Sequence, residues 1–201
     1  MNTAMNHSTR ALCTALLLTA CSAPTETAPS EQTVDAIEAV SLDGWRSETI
    51  ALPPQFAPSL PSGSETLLFA PGFFDPEAAD FWTYAFVMWL DEPAPDAARL
   101  SEMFEAYYDG LISAVARSAD RDVGNDPAQV ELTTIAPGTM EGRIHLVDAF
   151  GTFEWVDLHL IIETAPAANG KSVVSIQASP QAGGHDLWRS LDAAVARLQD
   201  S

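Results

Sequence analysis

Apolar and polar residues alternate with period two in seven stretches of this chain, the spacing that sends successive side chains to opposite faces of a β-strand. RSETIALP, ending at Pro53-Pro54, predicts a first strand. ETLLFAPGFF, broken by the Pro71-Gly72 turn signal, predicts a second, and DFWTYAFVMWLD, dense in aromatic residues, a long third. SGSE at 62–65 reads as a loop. The period then changes. In DAARLSEMFEAYYDGLISAVARSAD, Leu100, Met103, Phe104, Tyr107, Leu111 and Val115 recur at three and four residues, the stripe of an amphipathic helix. Pro93 and Pro95 precede it, Asp96 suits its first turn, and Arg117 and Arg121 suit the negative end of its dipole. Gly110 costs about 1 kcal/mol relative to alanine in such a helix.

AQVELTTI, TMEGRIHLVDAF, FEWVDLHLIIET and KSVVSIQAS predict four more strands, the last introduced by the turn residues AANGK. HDLWRSLDAAVARLQ closes the chain as a second helix, with Trp188, Leu191, Val195 and Leu198 on one stripe and Asp186 as N-cap. Three strands, a helix, four strands and a helix make an α+β protein. The expectation is an antiparallel sheet of about six or seven strands with two helices, a meander covered on one face. This order resembles the PsbP-like sandwiches of antiparallel sheet and helix. The resemblance is architectural and implies no functional residue.

Phe69, Phe73, Phe74, Phe81, Trp82, Tyr84, Phe86 and Trp89 crowd one short span. Their strand spacing predicts a core, with the wall of a ligand pocket as the alternative. A hydrophobic fraction of 47% excludes disorder for the body of the chain. Charge narrows the partners. Lys and Arg total 9 against 28 Asp and Glu, for a formal charge of -19, and Lys171 is the only lysine. Phosphate binding needs clustered cations, so nucleic acid and anionic lipid surfaces are poor partners. The acidity favours solubility and also suits a salty environment or a cationic partner.

The N-terminal region changes the picture further. Residues 1–10 carry one cation, Arg10, and residues 11–20, ALCTALLLTA, are uncharged and apolar. That run is half the length of a membrane-spanning helix but fits a secretory signal, with Met5 as an alternative start. Leu18-Thr19-Ala20-Cys21 resembles the bacterial lipobox. The resemblance implies a signal peptide over 1–20, diacylglycerol transfer to the Cys21 sulfur, cleavage before Cys21 and acylation, as with palmitate, of the new amino terminus. More than one acyl chain makes anchoring stable. Ser22 stands where an aspartate would retain the protein at the inner membrane, so the resemblance implies an outer-membrane lipoprotein facing the periplasm. Residues 21–40 are rich in Pro, Ser, Thr and Glu and read as a flexible tether to a single domain over 41–201. The only cysteines are Cys13 and Cys21, which leaves the mature body no thiol for a disulfide or a cysteine–metal site. FAPGFFD and the HDLW helix start are similar to stretches of an uncharacterised bacterial envelope family, a resemblance that implies no particular activity.

One constellation carries possible chemistry. If TMEGRIHLVDAF and FEWVDLHLIIET turn near Gly151, Arg143 faces His159 and His145 faces Asp157, opposite the core set Ile144, Leu146, Leu158 and Leu160. Glu141 shares that face, and Glu131 joins it from the preceding strand. Two histidines with carboxylates on one sheet face suit a divalent metal, and a His–Asp pair suits an oriented general base. The plainer reading is a solvated face carrying cross-strand ion pairs. HExxH, the P-loop, the dinucleotide fingerprint and the GxSxG elbow are absent from the sequence, and GGHD at 183–186 reads as a loop and helix cap. The expected function is therefore a membrane-anchored binding or accessory module of the envelope, with a possible envelope protein as partner and no cofactor or catalytic residue assigned. The alternatives are a metal-dependent or His–Asp hydrolase built on the 143–159 hairpin, and a carrier of a small apolar ligand.

Overall fold

Each alternating stretch becomes a strand and each three-four stripe a helix. In chain order these are β1 (Arg46–Leu52), β2 (Gly63–Phe69), β3 (Tyr84–Leu90), α1 (Ala97–Ser118), β4 (Gln129–Ala136), β5 (Thr139–Val147), β6 (Trp155–Pro166), β7 (Ser172–Ser179) and α2 (Leu187–Gln199). The computed structural model describes residues 40–121 and 127–200, all within a unit that begins at residue 39. The signal, the tether and Cys21 lie outside the described residues. Among the described residues, no helix is long and apolar enough to cross a membrane.

The seven strands form one antiparallel sheet in the order β1-β2-β3-β7-β6-β5-β4. This is an α+β fold, as the periodicity predicts, but not a simple meander. After β3, α1 carries the chain to the far edge of the sheet, and β4 to β7 step back until β7 pairs with β3. The helices also lie on opposite faces rather than covering one. Tyr84, Phe86, Met88 and Leu90 pack with α1, whereas the intervening Ala85 and Val87 pack with Trp188, Leu191 and Leu198 of α2. β3, apolar at every position, is what sandwiching between two helices demands of a strand.

Other boundaries move for local reasons. β3 begins at Tyr84, because residues 70–83 are a run of turns in which Trp82 adopts a left-handed φ of 50°. SGSE is not a loop: Gly63, Ser64 and Glu65 all pair with β1 and β3. The buried stripe of α1 is Leu100, Met103, Phe104, Tyr107, Tyr108, Ile112 and Ala116, with Leu111 and Val115 half-buried at its margin. Asp96 caps α1 by accepting from the Arg99 N–H at 2.9 Å. At α2 the Asp186 side chain makes no capping bond, and the His185 Nδ1 accepts from the Leu187 N–H instead.

Candidate functional site

The predicted hairpin register holds. Arg143 pairs with His159 and His145 with Asp157, with Glu131 opposite Arg143 on the next strand. The face they occupy lies beyond α2, which covers β2, β3 and β7. His145 Nδ1 sits 2.8 Å from Asp157 Oδ1, and its ring stacks on Trp155 with centroids 4.3 Å apart. Arg143 and His159 are brought together by register alone. Among the described residues, no three His, Asp or Glu side chains converge to hold a metal ion. The His145 and Asp157 side chains are 38% and 65% exposed, so solvent screens the pair. Asp157→Ala is expected to change the unfolding free energy by less than ~1 kcal/mol, read from urea midpoints. A larger loss would mean that this face is built for more than solvation.

The opposite face of the sheet holds a different site. α1 approaches the sheet most closely at β4 and β5. Towards β1 and β2 the gap widens and is spanned by large rings, which leave a cavity of about 460 Å³. Its walls come from several parts of the chain. β1 and β2 give Ile50, Leu67 and Phe69, and α1 gives Tyr107, Tyr108 and Leu111. The β2–β3 connection gives Phe73, Phe74 and Trp82, and the β5–β6 loop gives Phe150. Phe56, in the segment after β1, closes one side by packing edge-on against Tyr107 at 5.2 Å.

Local chemistry fixes these walls. Asp148 is fully buried at the end of β5, and its carboxylate accepts from the Phe150 N–H, the Thr152 N–H and the Thr152 hydroxyl. Those bonds fold the β5–β6 loop so that Phe150 lands on Phe73, Phe74 and Trp82, with centroids 5.3–6.1 Å apart. In the β2–β3 connection, Asp80 accepts from the Gly72 N–H, and a Cβ at Gly72 would lie 2.5 Å from the Ala78 Cβ as well as 2.2 Å from Asp80 Oδ1, so a larger residue would displace this turn.

Polar groups sit where apolar ones are expected. The Tyr84 and Tyr108 hydroxyls hydrogen-bond to each other in the interior. The Trp82 Nε1 is buried and has no hydrogen-bond partner among the described residues. A buried donor in that state costs ~1–3 kcal/mol. Glu65, on the same face as Leu67 and Phe69, is fully buried between Ile50 of β1 and Met88 of β3. Burial pushes its pKa up to about 8. The Tyr107 hydroxyl opposes that rise, yet neither carboxyl oxygen has a hydrogen bond of ordinary geometry, so desolvation dominates. The Glu48 carboxylate adds to the rise. Burial likewise raises Tyr84 and Tyr107 well above the usual tyrosine value. At neutral pH the Glu65, Tyr84 and Tyr107 side chains are therefore mostly uncharged.

Sequence reasoning singled out the aromatic cluster and favoured a core. The structure uses it for both: Phe86 fills the core, while Phe69, Phe73, Phe74, Trp82 and Tyr84 line the cavity. Glu65 was the missed residue. Its signal is a carboxylate two places before Leu67 and four before Phe69, on the inward parity of an apolar strand. No family model matches the chain, and no curated protein matches it either.

Proposed function

We propose that this protein is a lipid-anchored binding module of the bacterial envelope, and that its folded body takes up a small apolar ligand in the aromatic cavity. The observation that carries this reading is the cavity itself. Its volume falls within the ~300–1,000 Å³ of small-molecule sites. Its wall is ring and aliphatic carbon, with a few polar groups among them, which is how such sites combine affinity with orientation. The tether and the lipobox cysteine support a place at a membrane surface, where apolar small molecules concentrate. The hydrolase reading has less to support it, because the His145–Asp157 pair is largely open to solvent.

The test uses the full chain carrying Cys21→Ser, which removes the acylation site, and N-phenyl-1-naphthylamine as an apolar fluorescent probe. Saturable binding of one probe per chain is expected. Leu111→Trp and, separately, Ile50→Trp place an indole in the cavity from half-buried wall positions. Each is expected to weaken the probe about tenfold or more while the circular dichroism spectrum is kept, since bulk in the pocket displaces its occupant. Binding that neither variant alters would place the probe elsewhere and end this reading. Acylation is checked separately, by the mass of the Cys21 peptide from the membrane fraction.

A further inference from the structure

Resting on that reading, we infer that the ligand is a single-chain amphiphile with an anionic head, its tail lying among Leu67, Phe73 and Tyr84 and its head held at the mouth by Arg46. Arg46 is the first residue of β1, opposite Phe69, and its guanidinium lies 5.0 Å from the centre of the Phe74 ring. That stacking holds a flexible cation in place over the opening, and leaves its N–H donors free to take a carboxylate in a forked pair. The chain has 28 acidic residues, yet among the described residues Arg46 makes no ion pair. Arg99 and Lys171 are matched to carboxylates, whereas among the described residues Arg46, like Arg117, Arg121, Arg143 and Arg189, is not, and of these Arg46 is the one that lines the cavity.

The polarity along the cavity runs one way. Glu48, two residues on and on the same face, lies opposite Leu67 and acts on Glu65, so the wall beyond Arg46 repels an anion. The neutral inner wall suits a tail. Carboxylates beyond ~8 Å are screened at physiological ionic strength, so most of the net charge of -19 does not reach Arg46; Glu48, about 7 Å along the strand, does, and it moderates the hold on an anion. A cavity of about 460 Å³ suits one tail better than the two of a membrane phospholipid.

The experiment compares three single-chain probes, decanoate, decanol and decyltrimethylammonium, with nonanol alongside to correct for the one methylene by which the decanoate tail is shorter, by displacement of N-phenyl-1-naphthylamine from the full Cys21→Ser chain. Decanoate is expected to bind about fivefold tighter than decanol, the modest gain of a solvent-exposed charge pair. Arg46→Gln should erase that preference and leave decanol unchanged, and Glu48→Gln should keep it. Equal binding of decanoate and decanol by the parent chain would overturn the inference while leaving the apolar cavity reading intact. So would tightest binding of decyltrimethylammonium, or an equal loss of all three in Arg46→Gln. Sedimentation with phosphatidylglycerol vesicles, if dependent on Arg46 and accompanied by no decanoate binding, would assign the arginine to lipid headgroups and overturn it too. Displacement by none of the three would count against both this inference and the cavity reading.

Discussion

Glu65→Gln is expected to make the protein several kcal/mol more stable than the parent chain at pH 9 and no more stable at pH 5. The argument is linkage. In the unfolded chain Glu65 titrates near 4.5, and in the fold burial moves it to about 8. Between those values the folded state holds a proton that the unfolded state has released, so stability falls as pH rises. Below 4.5 both states are protonated and the group contributes no penalty; above about 8 both are ionised and the penalty is complete. At ~1.4 kcal/mol per pH unit, the window amounts to about 5 kcal/mol. The groups around Glu65 offset this only in part: the Tyr107 hydroxyl opposes the rise but does not overcome desolvation. Glu48 from β1 adds to the rise, and the neighbouring hydroxyls of Tyr84, Tyr107 and Tyr108 are neutral throughout, because burial raises all three.

Glutamine keeps the shape of the protonated acid but cannot ionise. Its amide brings a buried donor of its own, at ~1–3 kcal/mol if unmet, so the variant is expected to be level with or below the parent at pH 5. The decisive quantity is the difference in slope. Urea midpoints of both proteins at pH 5, 7 and 9 should diverge progressively on going to higher pH. Curves that run parallel over that range would show that Glu65 is ionised in the fold, and would remove the neutral inner wall assigned to the cavity.

Why such a group escaped a reading of periodicity is clear from β2. Alternation in GSETLLF shows that Glu65, Leu67 and Phe69 share a face, but not that this face is roofed by α1. The β5–β6 hairpin was legible in full, down to Arg143 opposite His159, because two long alternating runs flank a short connection and a slip of one residue would turn Ile144 and Leu158 out to water. The route of the chain was not. Whether β4 follows β3 in the sheet or crosses to the far edge depends on where α1 packs, and the crossing is what puts one helix on each face. The cavity was half legible. The clustering of Phe69, Phe73, Trp82 and Tyr84 was plain, but Phe150 and Tyr107 reach it from distant parts of the chain. The fully buried Asp148, whose carboxylate accepts three bonds from its own loop, looks in sequence like any turn aspartate.

Gly110→Ala is expected to destabilise the protein by about 2 kcal/mol, against the usual sign for that change in a helix. Helix propensity alone would gain ~1 kcal/mol, since glycine is the worst ordinary residue at an interior position. Here, however, the chain after β1 crosses α1 so closely that a Cβ on residue 110 would lie 2.0 Å from the Phe56 carbonyl oxygen and 2.8 Å from its carbon. The obstacle is backbone, which cannot rotate aside as a side chain would. Relief requires the 53–62 segment to lift, and Phe56 would then leave Tyr107 and the cavity wall it closes. Overpacking of this kind costs ~1–3 kcal/mol or more, which outweighs the propensity gain. Two readouts separate this from a simple loss of fold. Thermal melting should shift down, and N-phenyl-1-naphthylamine affinity should change because one wall has moved. A rise in melting temperature with unchanged probe binding would mean that the crossing segment is free to yield, and that Phe56 does not fix the shape of the cavity.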